Sequence, residues 1–243
     1  MSTPDLSLYL VTDTEAARRA GRDLPGLVAD AARGGVTTVQ VREKNQPAGV
    51  FLRTVTEVAQ ALPGHVTLLV NDRVDVFLAA RSLGVRVHGV HLGQRDLPAA
   101  CARDLIGPDA VLGLSAATTA QLSAAAASSA RVDYVGVGVV RATATKPDAP
   151  APLGIEGMLK RAGQSRLPAV AIGGITVDDT RALRAGMLRD EASRDGAPGD
   201  VAPREGRRAG GSLAGVAVVS GICGAADPVA AARAYRSAWQ GAA

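Results

Sequence analysis

The chain alternates, eight times from end to end, between a short β-branched or apolar run and an Ala-rich amphipathic stretch. Short apolar runs suit strands buried on both faces, which occur where helices cover a parallel sheet. The runs lie at residues 6–11, 36–41, 66–70, 89–92, 111–114, 132–137, 169–172 and 215–219. Helical stretches follow them, among them 47–62, 118–130 and 227–239. The last opens with Asp227-Pro228, an N-cap followed by a proline at the first helical position. Eight such units predict an α/β fold, a closed (β/α)8 TIM barrel forming one domain over residues 1–243. An open doubly wound sheet would show a Gly-rich dinucleotide turn after its first strand, where this chain has Val11-Thr12-Asp13.

Hydrophobic residues make up 47% of the chain and aromatics only 2%, so the core must be built from Ala, Val, Leu and Ile. No stretch of about 18 residues is continuously apolar, which argues against a membrane span. The first ten residues lack the basic start of a secretory signal. Cys101 and Cys223 give neither a disulfide framework nor metal-ligand spacing, and a cytoplasmic protein is the expectation. The formal charge of +4 comes without a Lys/Arg stripe interleaved with aromatics, which argues against nucleic acid as a partner. A small anionic substrate accounts for it equally well. Self-association into a homo-oligomer is compatible with this reading. One segment, about 188–213, breaks the rhythm with RDEASRDGAPGDVAPREGRRAGG. Its low hydrophobicity predicts a disordered insertion between the seventh helix and the eighth strand.

In a barrel of this kind the chemistry sits where strands end and the following loops begin. The second strand ends VQVREK. A period of two puts Gln40, Arg42 and Lys44 on one face and Val39, Val41 and Glu43 on the other. If the valines pack on helices, the polar trio points into the barrel mouth, an amide beside two cations. The third strand ends in Asn71-Asp72 and the fourth in HLGQRD, 91–96. Two acids from adjacent strand ends suit Mg2+, which takes one or two carboxylates and fills other positions with water and phosphate oxygens. Each acid also suits a helix cap, and His91 a satisfied core position. The sixth strand continues into VVRATATKPDAP, where Thr143, Thr145 and Lys146 offer two hydroxyls and a cation. The seventh and eighth end AIGGI and VVSGI, small residues whose backbone N–H groups suit a phosphate cradle.

Taken in order, VQVREK, VNDR, GVHLGQRD, DYVGVG with TATKPDAP, AIGGI and GVAVVSGI resemble the strand ends of the thiamine-phosphate synthase family. The resemblance covers residues 8 to about 239, apart from the insertion. It implies that Gln40, Arg42, Lys44 and Asn71 bind an aminopyrimidine diphosphate, with Ser115 and Lys146 also facing it. Asp72 and Asp96 would hold Mg2+. Thr143, Thr145, Gly174, Val219 and Ser220 would hold a thiazole phosphate. The implied reaction is dissociative: diphosphate leaves, a pyrimidine methyl cation forms, and the thiazole nitrogen attacks it. Arg42 and Lys146 are the residues expected to act on the departing charge. The chain departs from the family pattern at Val139 and Ala142, where proline is frequent, and in GLSAATT, which lacks the histidine often found shortly after the serine. Competing readings are a thiazole tautomerase-like paralogue, another phosphate-binding barrel isomerase, and a non-catalytic ligand-binding barrel.

Overall fold

The apolar runs become strands β1 (Leu8–Val11), β2 (Thr38–Val41), β3 (Thr67–Asn71), β4 (Gly89–Leu92), β5 (Val111–Ser115), β6 (Tyr134–Gly138), β7 (Ala169–Ile172) and β8 (Leu213–Val218). The structure, a computed structural model, describes residues 3–143, 151–195 and 213–241, with the side chains of 191–195 outside that description. All eight strands pair in parallel in sequence order, and β8 pairs with β1 to close the barrel. The helices described are α1 (Thr14–Arg19), α2 (Leu24–Arg33), α3 (Ala48–Ala61), α4 (Val74–Ser82), α5 (Ala99–Ile106), α6 (Thr119–Ala127), α7 (Gly154–Gly163), α8 (Val177–Asp195), α9 (Ser220–Cys223) and α10 (Pro228–Gln240). The closed barrel of the sequence reading is therefore the observed fold. Two strands match the expected bounds to the residue, and the others shift by one or two positions. Val36 shows why: its N–H returns to the Ala31 carbonyl, closing α2, and the sheet begins only at Thr38.

Strand alternation separates two cores. Leu8, Leu10, Val39, Val41, Leu68 and Val70 point outward and pack on the helices. Tyr9, Val11, Leu69, Val111, Tyr134, Val170 and Ala217 point inward and fill the barrel. Each fully buried Val or Leu on the outer face contributes about 1.5–3 kcal/mol, so the shell between strands and helices dominates the stability. Asp227 caps α10 as expected, its side chain accepting from the Ala230 N–H at 3.0 Å.

At the face where strands begin, Arg103 of α5 acts as a staple. Its guanidinium, on a residue only 7% exposed, donates to the carbonyls of Ala130, Gly107, Ala110 and Arg131 and to the Asp133 carboxylate, at 2.6–3.1 Å. All five N–H groups of the fork are used. The segments leading into β5 and β6 are thereby tied to one helix.

The expectation of disorder from about 188 is corrected for residues 188–195, because α8 continues to Asp195. Residues 188–195 read LRDEASRD, free of Gly and Pro, and Leu, Arg, Glu and Ala are good helix formers. The rest of the expected insertion, 196–212, lies outside the described residues.

Candidate active site

The mouth of the barrel opens into a cavity of about 670 Å3 lined from the C-terminal ends of the strands. On β2, Val39 and Val41 are buried in the outer core, so Gln40, Arg42 and Lys44 face the cavity, as the period of two predicts. The Arg42 N–H donates to Thr12 Oγ1 at 3.0 Å, which fixes the strand end. Glu43, on the other side, accepts from the Thr14 hydroxyl at the start of α1.

Asp72 follows β3 with φ at +61°, a left-handed conformation that aspartate tolerates at a cost of roughly 1–2 kcal/mol. Its N–H is held by the His91 carbonyl at 2.9 Å, and the Arg73 N–H closes the turn on Asn71 O at 2.7 Å. The turn aims the Asp72 carboxyl at Asp96, with which it is hydrogen-bonded. Burial, that hydrogen bond and the Asp96 charge push the Asp72 pKa up to about 6, against the opposing effect of the Asn71 side chain and the Lys44 charge. Asp96 is positioned by its own loop, Oδ2 accepting from the Gly93 N–H at 2.6 Å. Neither acid serves as the helix cap that the sequence also allowed. The N-cap of α4 is Arg73 and that of α5 is Pro98, and neither makes a side-chain cap bond. Two carboxylates pressed together, with a cation nearby, form an arrangement that a bound divalent ion relieves. Among the described residues no cluster of three or more metal-ligating side chains occurs. A site of two carboxylates suits Mg2+ when substrate phosphate oxygens complete its coordination.

The cavity floor is polar in a way the sequence reading missed. Gln40 Nε2 donates to Tyr9 Oη at 2.6 Å, and Tyr9 Oη lies 2.8 Å from Tyr134 Oη. Tyr134 Oη lies 2.9 Å from His91 Nδ1, and His91 Nε2 lies 3.0 Å from Ser115 Oγ. The chain crosses the barrel from β2 to β5. Ser115, expected only from the family resemblance, is thus held by His91 and not by a histidine following it in sequence. Its backbone carbonyl accepts from Gln94 Nε2 at 2.6 Å.

At the opposite wall, β6, β7 and β8 build a small-residue cradle. Gly173 and Gly174 take φ values of +100° and +64°. A Cβ on Gly174 would lie 2.9 Å from the Ala142 carbonyl, so the loop after β6 can approach only a glycine there. That loop extends the pairing beyond β6, with Val140 N–H on Ile172 O at 3.0 Å and Arg141 N–H on Gly173 O at 2.9 Å. Thr143, Gly174, Val219 and Ser220 all line the cavity here. Val219 leads into the single turn α9, whose first N–H groups have no partner within the helix. Of the expected site residues, Thr145 and Lys146 lie outside the described residues. The remainder, Gln40, Arg42, Lys44, Asn71, Asp72, Asp96, Ser115, Thr143, Gly174, Val219 and Ser220, share the one cavity.

A model of the thiamine monophosphate synthase family matches residues 8–192. The chain is 40% identical over 238 residues to a thiamine-phosphate synthase of Azorhizobium caulinodans, covering 96% of this chain and 94% of that protein. It is 37% identical over 231 residues to one of Corynebacterium efficiens, covering 95% and 94%. Among solved structures, the thiamine phosphate pyrophosphorylase of Pyrococcus furiosus superposes with a TM-score of 0.74 at 29% identity, covering 99% of this chain and 98% of that one. With the barrel, the strand-end motifs and full-length relatives in agreement, the chain belongs to the thiamine monophosphate synthase family.

Proposed function

We propose that the protein joins an aminopyrimidine methyl diphosphate to a thiazole phosphate, giving thiamine phosphate and diphosphate. The observation that carries this reading is the polarity of one cavity. A carboxylate pair beside Arg42 and Lys44 occupies one wall, a glycine cradle the other, and a hydrogen-bonding floor lies between them. Such a site suits two anionic substrates brought head to head.

The bond broken is that between the pyrimidine methylene carbon and the bridging oxygen, whose electron pair leaves with diphosphate. The thiazole nitrogen lone pair then forms the new bond to that carbon, and the ring nitrogen becomes cationic. Arg42 and Lys44 face the end where negative charge develops, and Lys146 is expected to join them. Preorganised cations at a leaving group lower the barrier because they need no reorganisation as charge develops. Gln40 and Ser115 orient the pyrimidine, while Thr143, Ser220 and the backbone of Gly174 hold the thiazole phosphate. Holding both rings in one cavity converts an encounter of two substrates into a unimolecular step. Asp72 and Asp96 would hold Mg2+, which when bound neutralises diphosphate charge.

Mixing both purified substrates with the enzyme, with and without Mg2+, tests the proposal. Stoichiometric diphosphate and thiamine phosphate are expected only with the metal. Thiazole isomerisation without diphosphate release would instead identify a tautomerase-like protein.

A further inference from the structure

The two loops that form the glycine cradle are held from behind by one side chain. Tyr235 of α10 is only 5% exposed and packs in the outer core. It is not among the residues that line the cavity. Its hydroxyl donates to the Ile175 carbonyl at 3.0 Å, and since a carbonyl can only accept, the direction of this bond is fixed. Burial, and after it the Asp179 charge, raises the hydroxyl above the ordinary phenol range, so it keeps the proton that it offers. The same oxygen closes on the loop after β8. A Cβ on Gly221 would lie 2.3 Å from Tyr235 Oη and 3.1 Å from Cζ, so the phenol can approach only a glycine there. Ile175 follows Gly174, and Gly221 follows Ser220. One phenol thus touches both loops, in each case one residue beyond a position expected to hold phosphate.

Pinning matters here because of what precedes it. Gly173 and Gly174 both have positive φ, and glycine itself restrains the backbone weakly. The nearby peptide plane between Ile175 and Thr176 is held at both edges. Its oxygen accepts from Tyr235, and its N–H donates to Asp179 Oδ2 at 3.0 Å. A planar peptide held at both edges cannot turn. The Ile175 carbonyl therefore stays directed at α10, away from an anion in the cradle, whose charge it would oppose.

We infer that Tyr235 is a positioning residue for anion binding, locking the loops after β7 and β8 together so that the Ile175 carbonyl stays out of the cradle. Phenylalanine would fill the same volume but leave that carbonyl without its donor and able to turn toward the anion. That the anion is a thiazole phosphate rests on the function proposed above, whereas the two contacts of Tyr235 do not depend on it.

Inorganic phosphate is a probe that assumes no substrate. Titrated into the metal-free protein and followed by nitrogen-15 NMR at the Gly174 and Ser220 amides, it reads the cradle alone. Tyr235→Phe should weaken phosphate binding there about three- to tenfold, the scale of one hydrogen bond. Gly221→Ala, whose methyl drives the hydroxyl off Ile175, should weaken it by a similar factor. The double variant should bind no more weakly than the weaker single one, since both changes break the same contact. Calorimetry with the thiazole phosphate and its dephosphorylated alcohol supplies the second readout. The ratio of their affinities should shrink by the same factor in each variant, with alcohol affinity and pyrimidine diphosphate affinity as in wild type. Unchanged phosphate affinity in both single variants, additive losses in the double variant, or equal losses for thiazole phosphate and alcohol would overturn the inference. Neither readout needs turnover. A wild-type protein that binds phosphate at the cradle through Tyr235, yet does not prefer the thiazole phosphate to its alcohol, would defeat the proposed reaction and leave the positioning role standing.

Discussion

Arg141 and Asp179 form a bidentate pair that ties the loop after β6 to the start of α8. Arg141 Nε lies 2.9 and 2.8 Å from the two carboxylate oxygens, and Nη2 lies 2.6 Å from one of them. Asp179 also belongs to a reciprocal cap. It accepts from the Thr176 N–H at 3.0 Å and the Thr176 hydroxyl at 2.8 Å, while its own N–H donates to Thr176 Oγ1 at 3.1 Å. One buried carboxylate thus serves both the helix start beside the glycine cradle and the loop that carries Thr143. The pair anchors by side chains a loop that has Val139 and Ala142 where the family resemblance implies proline.

Arg141→Ala should accordingly raise KM for the thiazole phosphate several-fold and leave KM for the pyrimidine diphosphate nearly unchanged. Asp179→Ala removes the cap as well, which costs about 0.5–2 kcal/mol, and should lower Tm further than Arg141→Ala does. The Arg141 guanidinium and the Thr176 bonds hold the Asp179 carboxyl below its usual range. The stabilisation it gives is present above the unfolded-state pKa and is lost as pH falls through the folded one. The Tm gap between wild type and Asp179→Asn should therefore be wide at neutral pH and close in acid. Equal KM effects on both substrates would place the loop elsewhere in the mechanism.

The Asp72–Asp96 pair predicts competition between protons and metal. With the Asp72 pKa pushed up to about 6, Mg2+ must displace a proton below that pH. The Mg2+ concentration for half-maximal activity should rise steeply as pH falls through 6 and be flat above 7. Stability follows the opposite sign to Asp179. An acid whose folded pKa is raised favours the fold at low pH and costs stability as pH rises through the folded value. Metal-free Asp96→Asn, relieved of that repulsion, should melt higher than metal-free wild type at neutral pH and no higher near pH 4. Its Mg2+ requirement should nonetheless increase sharply.

Much of this site was legible because strand alternation is a strict rule. VQVREK has apolar residues on one face only, so the direction of Gln40, Arg42 and Lys44 followed from the sequence. Tyr9 and Tyr134 were not legible. Their strands are apolar at every position, and nothing local tells the inside of a closed barrel from its outer face. His91 read as a core residue for the same reason. Its partners come from β5 and β6, and only barrel closure brings a phenol and a serine to its two nitrogens. The acids at Asp72 and Asp96 were ambiguous in sequence because caps and metal ligands use the same residue type. The structure excludes the caps, since neither α4 nor α5 has a side-chain cap bond, and the left-handed turn at Asp72 brings its carboxyl beside Asp96. The Arg141–Asp179 pair joins positions 38 apart in sequence, from a loop and a helix start, and no periodicity links them.

Lys146 was expected from its motif to act on the leaving group. A cation that meets charge as it develops helps the transition state more than the bound substrate. Lys146→Ala should therefore lower kcat by roughly 10²- to 10³-fold with a smaller change in KM. A raised KM with normal kcat would reduce Lys146 to a binding residue.

Stability at the other face of the barrel should depend on Arg103 far more than its single charge suggests. A surface ion pair with Asp133 alone would contribute no more than about 1 kcal/mol. Four carbonyls also depend on this guanidinium, and those of Ala130 and Ala110 are in buried contacts with it. Removing the fork leaves these acceptors without their donor, whereas shortening the side chain to lysine replaces five directed donors with three on a flexible stem. Arg103→Met should cost about 3–5 kcal/mol, the scale for breaking a buried charged network, and Arg103→Lys nearly as much. Asp133→Asn should cost far less, since it removes one partner of five and leaves the carbonyls served. Because the staple lies at the face where strands begin, activity per folded molecule should be unchanged in all three variants. Denaturant melts with a substrate-saturated activity assay at low temperature check both halves. An Arg103→Met protein as stable as wild type would mean that water replaces the guanidinium at these carbonyls. A folded variant with low kcat would mean that the two ends of the barrel are mechanically linked.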